Sequence, residues 1–126
     1  MIEIKNLYKK FKNTIIFEDA NVVFNNGKKI LIKAPNGTGK SVLLKLIVGY
    51  STPNKGDVII DDYTLKQDSD FIKNAGVSIN APEFNKHLSG MDNLLLLANI
   101  RKKTTKEYIN SIVEYLEMKD MIHKKI

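Results

Sequence analysis

Eight consecutive residues, Ala34, Pro35, Asn36, Gly37, Thr38, Gly39, Lys40 and Ser41, hold the side chains best suited to chemistry in this chain. They stand between two apolar runs, residues 30–32 before and 42–48 after. Strand, glycine-bearing loop and helix in that order make a phosphate-binding loop. Gly37 and Gly39 allow backbone conformations that a Cβ would block, so that N–H groups close around phosphate oxygens. A helix starting near Lys40 aims its unpaired N–H groups and the positive end of its dipole at the same anion. Lys40 adds a mobile point charge for the outer phosphates, and the Ser41 hydroxyl suits the shell of a phosphate-bound Mg²⁺. The pattern G-x-x-x-x-G-K-[ST] is met except at its first position, where Ala34 stands. A glycine turn that merely joins strand to helix would not require the Gly-Lys-Ser run.

Such a loop needs elements to hold it. Ile30, Leu31 and Ile32 predict a buried strand leading in. Val42, Leu43, Leu46, Ile47 and Tyr50 recur at helical spacing, with Gly49 near the end. Upstream, Ile2, Ile4 and Leu7 alternate with Glu3 and Lys5 as a half-buried strand. A polar break at residues 9–14, interrupted by Phe11, precedes strand material at residues 15–17 and 21–24. Asn25, Asn26 and Gly27 then signal a tight turn, predicted to be a hairpin. Downstream, residues 51–56 predict a turn and residues 58–60 a strand. Asp68, Ser69 and Asp70 suit the cap of a short helix over Phe71 and Ile72. Residues 76–79 predict a strand that Pro82 stops, after Asn80 and Ala81. Ser89 with Asp92 resembles a capping box for a helix carrying residues 94–98, and Thr104 with Glu107 repeats the device. Ile109, Ile112, Val113 and Leu116 then form one apolar helix face.

The bulk properties set bounds. A chain of 126 residues can bury one core but is short for a complete nucleotide-hydrolysing domain. Its 43% apolar and 27% charged content is that of an ordinary soluble domain. With no cysteine, disulfides and thiolate metal sites are excluded. The start has no apolar signal-peptide region, and no run approaches the roughly 18 apolar residues of a transmembrane helix. The formal charge of +6 comes from scattered lysines with a single arginine, Arg101, which reads as a solvated surface and not as a nucleic-acid patch.

Five stretches in sequence order resemble the N-terminal half of an ATP-binding cassette (ABC) ATPase, and together they span nearly the whole chain. NLYKKF is similar to the opening strand, whose aromatic, here Phe11, would stack on adenine. NNGKKILIKAPNGTGKS resembles the strand and Walker A loop, and LLKLIVGYSTPNKGDVIIDD the helix and next strand. GVSINAPEF resembles the strand running into the Q-loop, and LSGMDNLLLLANI the helix after it. The resemblance implies an α/β fold: a truncated P-loop NTPase core with an N-terminal antiparallel β-region and C-terminal helices. Residues 1–126 would then be the N-terminal part of one ABC ATPase domain, and Asn80-Ala81-Pro82 with Phe84 resembles the bacitracin- and lantibiotic-resistance exporters of that family.

Three departures bear on the site. Ala34 replaces a glycine, which would cost about 1 kcal/mol if the position needed positive φ. Val42 replaces a threonine and removes a hydroxyl near the α-phosphate. Asn80 replaces the glutamine that senses Mg²⁺ and the attacking water, and it is one methylene shorter. The signature motif, Walker B acidic pair and switch histidine of the family are not in these 126 residues, so no catalytic residue is assigned within the chain. Val58, Ile59, Ile60, Asp61 and Asp62 look like a Walker B strand but lie only about twenty residues past Lys40. They read as outer β-structure. His87 and His123, without ligand-spaced neighbours, read as surface histidines.

The resemblance implies ATP and Mg²⁺ as ligands. Phe11 would take the base, residues 34–42 including Val42 the phosphates, and Ser41 and Asn80 the metal. It implies a transmembrane permease subunit and a second ATPase subunit as partners, no nucleic acid, and a place on the cytoplasmic face of a membrane. The expected activity of the 126 residues is ATP·Mg²⁺ binding without hydrolysis. Two other readings stay open: a soluble ABC ATPase acting on ribosomes or DNA, and a degenerate binding module.

Overall fold

In the computed structural model the described residues are 1–80, 83–101 and 104–125, the side chain of Arg101 excepted. The chain divides into two compact units, Met1–Asn80 and Ala81–Ile126. The expected stop at Ala81 and Pro82 lies outside the described residues.

The first unit is built on an antiparallel sheet of β1 (Ile2–Phe11), β2 (Thr14–Phe24), β3 (Lys55–Ile60) and β4 (Tyr63–Thr64), in the order β2-β1-β3-β4. The helix α1 (Lys40–Val48) is its fifth element. Ile4 and Leu7 of β1 are buried although three residues apart. Asn6, at φ 48°, coincides with a register shift that breaks the period of two and turns both side chains inward. They meet Val58, Ile60, Leu65, Leu46 and Ile47 in one apolar cluster. Gly49, at φ 88°, ends α1 in the left-handed conformation that glycine adopts at low cost.

Several expectations are corrected here. No polar break exists at residues 9–14. Strand β1 runs to Phe11, the turn is only Lys12-Asn13, and Lys9 is buried with its Nζ donating to the Thr52 carbonyl at 2.6 Å. Its aliphatic stem makes that placement possible. Residues 14–24 form one strand. Asn25-Asn26-Gly27 turns without closing a hairpin, because β2 pairs with β1. Residues 30–32 and 76–79 are not in strands, and Leu31 is 76% exposed. A strand exists only through a ladder to a neighbour, and these two runs pair with none of the described residues. No helix forms over Phe71 and Ile72. Ser69 Oγ donates to the Phe71 carbonyl, and Leu65 bridges Ser69. Residues 58–60 lie in β3 between β1 and β4. Asp61, in the following turn, pairs with the Met1 ammonium, so outer β-structure is the correct reading of this run.

The second unit holds α2 (Gly90–Arg101) and α3 (Lys106–Tyr115). The Ser89 and Asp92 side chains bond to each other at 2.6 Å, and the Asp92 amide donates to Ser89 Oγ at 3.1 Å. The capping box is therefore formed. In α3 the cap is Thr105, whose Oγ1 accepts from the Tyr108 amide at 3.2 Å, one residue later than the expected Thr104. Ile109 and Val113 pack with Met91 and Ile122, whereas Ile112 and Leu116 are exposed. The buried Asn93 amide donates to the Asn85 and Ser89 carbonyls and accepts from the Asn85 amide, fastening the loop before α2 to that helix.

Candidate functional site

A turn at Asn36-Gly37 lifts the chain from Pro35, and Gly39 then caps α1 at φ 99°. The Leu43 amide makes the first helical bond, to the Gly39 carbonyl at 2.8 Å. The amides of Lys40, Ser41 and Val42 precede it and have no helical acceptor. No side chain caps this end, and its first turn holds no acidic residue. Among the described residues these three donors have no partner, so they and the dipole end are left for an anion from outside the helix.

Two side chains set the loop's shape. Thr38 Oγ1 donates to the Pro35 carbonyl at 2.7 Å. Lys40 Nζ donates to the carbonyls of Ala34 at 2.6 Å and Pro35 at 2.7 Å, so its charge is folded back over the loop. Asn36, Gly37, Gly39, Lys40, Ser41 and Val42 line a cavity of about 360 Å³ with Ile16 of β2. This lining fits a phosphate chain: donors and one cation are present, and no carboxylate is. A Cβ on Gly39 would stand 2.5 Å from Ile16 Cγ2 and 3.2 Å from the Phe17 ring, so glycine is required twice over.

The departures now have a physical account. Ala34 keeps a negative φ, so the backbone strain considered for it does not arise. Val42 is half-buried and packs on the apolar cluster of the first unit, a use that threonine's hydroxyl would not serve. Of the expected residues, Ala34, Pro35, Thr38, Phe11 and Asn80 are not in the cavity wall. Phe11, at the end of β1 opposite Thr14, is about half exposed, with Lys9 Nζ 4.7 Å from its ring centre. Asn80 is exposed at φ 67°. Among the described residues no group of three or more His, Cys, Asp or Glu is arranged for a metal ion. Ile16 lines the cavity although nothing in its local sequence marks it.

Comparison with known proteins follows the same lines. A family model described as "ABC transporter" matches residues 17–126. YhcH of Bacillus subtilis, described as an uncharacterized ABC transporter ATP-binding protein, is 34% identical over 127 residues. YdbJ of the same organism, described likewise, is 32% identical over 129 residues. All of this chain aligns with each, but only 42% and 41% of the relatives' own lengths are covered. The dimeric structure of MJ0796, a bacterial ABC transporter cassette, superposes over 99% of this chain and 61% of that one. Its TM-score of 0.75 at 21% identity is a likeness of fold, an α/β P-loop core.

Proposed function

Because the chain belongs to the ABC transporter family, we propose that its 126 residues are the N-terminal part of one ATPase domain and bind ATP·Mg²⁺ at residues 34–42. One observation carries this reading: the uncapped start of α1, the Lys40 ammonium and the two loop glycines converge on one cavity. The N–H groups of the loop and of α1 would hold phosphate oxygens. Lys40 would exchange the Ala34 and Pro35 carbonyls for the outer phosphates, and Ser41 would hold Mg²⁺. When bound, Mg²⁺ offsets charge on the phosphate oxygens. Phe11 is proposed for the base and Asn80, through its amide oxygen, for sensing the metal.

Hydrolysis needs a group that orients or deprotonates water. No carboxylate lines the cavity, so binding without turnover is the activity proposed for these residues. In the whole protein the domain would pair with a second ATPase subunit and act through a separate transmembrane permease on the cytoplasmic face of the membrane. The relatives' description as ABC transporter ATP-binding proteins supports the ligand, and the dimeric form of the MJ0796 cassette supports the pairing.

The test is a titration with ATP·Mg²⁺. Wild type should bind, and Lys40→Ala should bind about ten- to a hundredfold more weakly, the loss typical of one charge-assisted contact. A wild-type chain with no affinity would overturn the nucleotide assignment. Steady phosphate release that survives purification and vanishes in Lys40→Ala would overturn the absence of turnover.

A further inference from the structure

Asn26 and Gly27 form the turn that follows β2, and both are exposed. Gly27 lies at φ 70° with nothing within 4 Å of the place a Cβ would take. Its amide has no hydrogen-bond partner among the described residues. An asparagine followed by glycine can react with its own backbone, because no side chain crowds the approach of the next amide nitrogen to Cγ.

The neighbours of Asn26 favour that reaction. Its Oδ1 accepts a hydrogen bond from the Met1 ammonium, and its Nδ2 donates to Asp61 Oδ1 over a long 3.5 Å. The same ammonium donates to Asp61. Hydrogen bonds from the ammonium and from Asn26 hold the Asp61 carboxyl below its ordinary range, so it is an anion at neutral pH and keeps the ammonium at the turn. A cation bonded to a carbonyl oxygen stabilises the negative charge that gathers there when a nucleophile adds to the carbon. The other Asn-Gly pair, Asn36-Gly37, is also exposed, with Gly37 at φ 83° in open space. Among the described residues, however, the side-chain bonds of its loop are made by Thr38 and Lys40 and none by Asn36.

We propose that Asn26 is a site of self-modification, at which the Gly27 amide nitrogen closes on Asn26 Cγ while the Met1 ammonium supports Oδ1. The bond from Gly27 N to Cγ forms and the bond from Cγ to Nδ2 breaks. The side-chain nitrogen leaves as ammonia, taking up a proton as the Gly27 nitrogen gives one to solvent. One water then opens the cyclic imide, giving aspartate if the new bond is cut and isoaspartate if the original peptide bond is cut. A carboxylate now stands beside Asp61 in place of a neutral amide, and the formal charge falls by one from +6. The isoaspartyl form also lengthens the backbone in the turn between β2 and the run that leads to residues 34–41. This inference is independent of the nucleotide reading.

The experiment incubates the full chain without nucleotide at neutral pH, folded in buffer and unfolded in guanidinium chloride. Peptide mapping by mass spectrometry, in ¹⁸O-labelled water, then gives the rate of amide loss at each asparagine. In the unfolded chain, where Met1 is remote, the two Asn-Gly pairs should react within about twofold of each other. In the folded chain Asn26 should outpace Asn36 about three- to tenfold, less than a water-excluded oxyanion site provides because this turn is in solvent. A chain acetylated at the Met1 nitrogen, its fold checked by circular dichroism, should lose that advantage. A folded-state ratio equal to the unfolded one would overturn the proposal, as would an Asn26 slower than Asn36, which would mean that the Met1 contact locks the amide. An advantage that survives acetylation would remove the ammonium from the reaction and overturn it equally.

Discussion

Ala34 and Gly39 lie five residues apart in one loop, yet a single methyl group has opposite consequences at the two positions. Gly39 sits at φ 99° with Ile16 where its Cβ would go. Gly39→Ala should therefore lower stability by about 2 kcal/mol, combining a left-handed backbone with a clash, and should also displace the start of α1. Thermal unfolding and ATP titration would both register it. Ala34 keeps a negative φ, so Ala34→Gly relieves nothing. It should leave ATP affinity within about twofold and lower stability by about 0.4–1 kcal/mol through the added freedom of the unfolded chain. A clear gain in affinity from Ala34→Gly would show that the missing glycine matters to the site after all. The run from Ala34 to Ser41 was legible because eight adjacent residues suffice to make a cradle. Ile16 was not, because its role depends on a register shift against β1 that no local pattern announces.

At the scale of elements, side-chain caps were readable and sheet irregularities were not. Ser89 and Asp92 form the predicted box because its partners lie three residues apart on the same turn. Lys9 looked like a strand breaker, yet a distant carbonyl, that of Thr52, accepts its ammonium inside the fold. Asn93 likewise gave no signal alone, since its partners lie four and eight residues away. Asn93→Leu should cost about 2–3 kcal/mol, because the Asn85 amide and two carbonyls lose their partner in a buried place. A change under about 0.5 kcal/mol in thermal or denaturant unfolding would show that water replaces the amide freely. The box also titrates. Hydrogen bonds from the Ser89 hydroxyl and amide hold the Asp92 carboxyl below its ordinary range. A depressed folded-state pKa contributes stability that is fully present above the unfolded value, about 4, and is lost as pH falls through the folded one. Lys119 holds Glu114 down in the same sense. Thermal midpoints should therefore fall on acidification below about pH 4, and Asp92→Asn should flatten that fall. An unchanged slope in Asp92→Asn would remove the box from the pH dependence.

For the whole molecule, the decisive distinction is between runs that have a partner and runs that do not. Residues 30–32 carry the same β-branched and leucine signal as residues 58–60. The latter pair with β1 on one side and β4 on the other, whereas the former pair with none of the described residues. β-propensity measures fit to a pleated, half-covered surface, so the run alone could not say whether that surface would be present. Ile30, Leu31 and Val77 accordingly stand exposed, with Leu31 at 76%. Exposed large apolar side chains favour association and dye binding. Leu31→Lys in the 126-residue chain should therefore leave stability within about 0.5 kcal/mol, as for a surface substitution that breaks no packing. It should at the same time reduce binding of a hydrophobic dye and self-association at high concentration. The two readouts separate the alternatives. A drop of several degrees in the thermal midpoint would show that Leu31 is packed in solution and that the run has found a ladder, whereas a steady midpoint with weaker dye binding is what an unpaired, solvent-facing run requires.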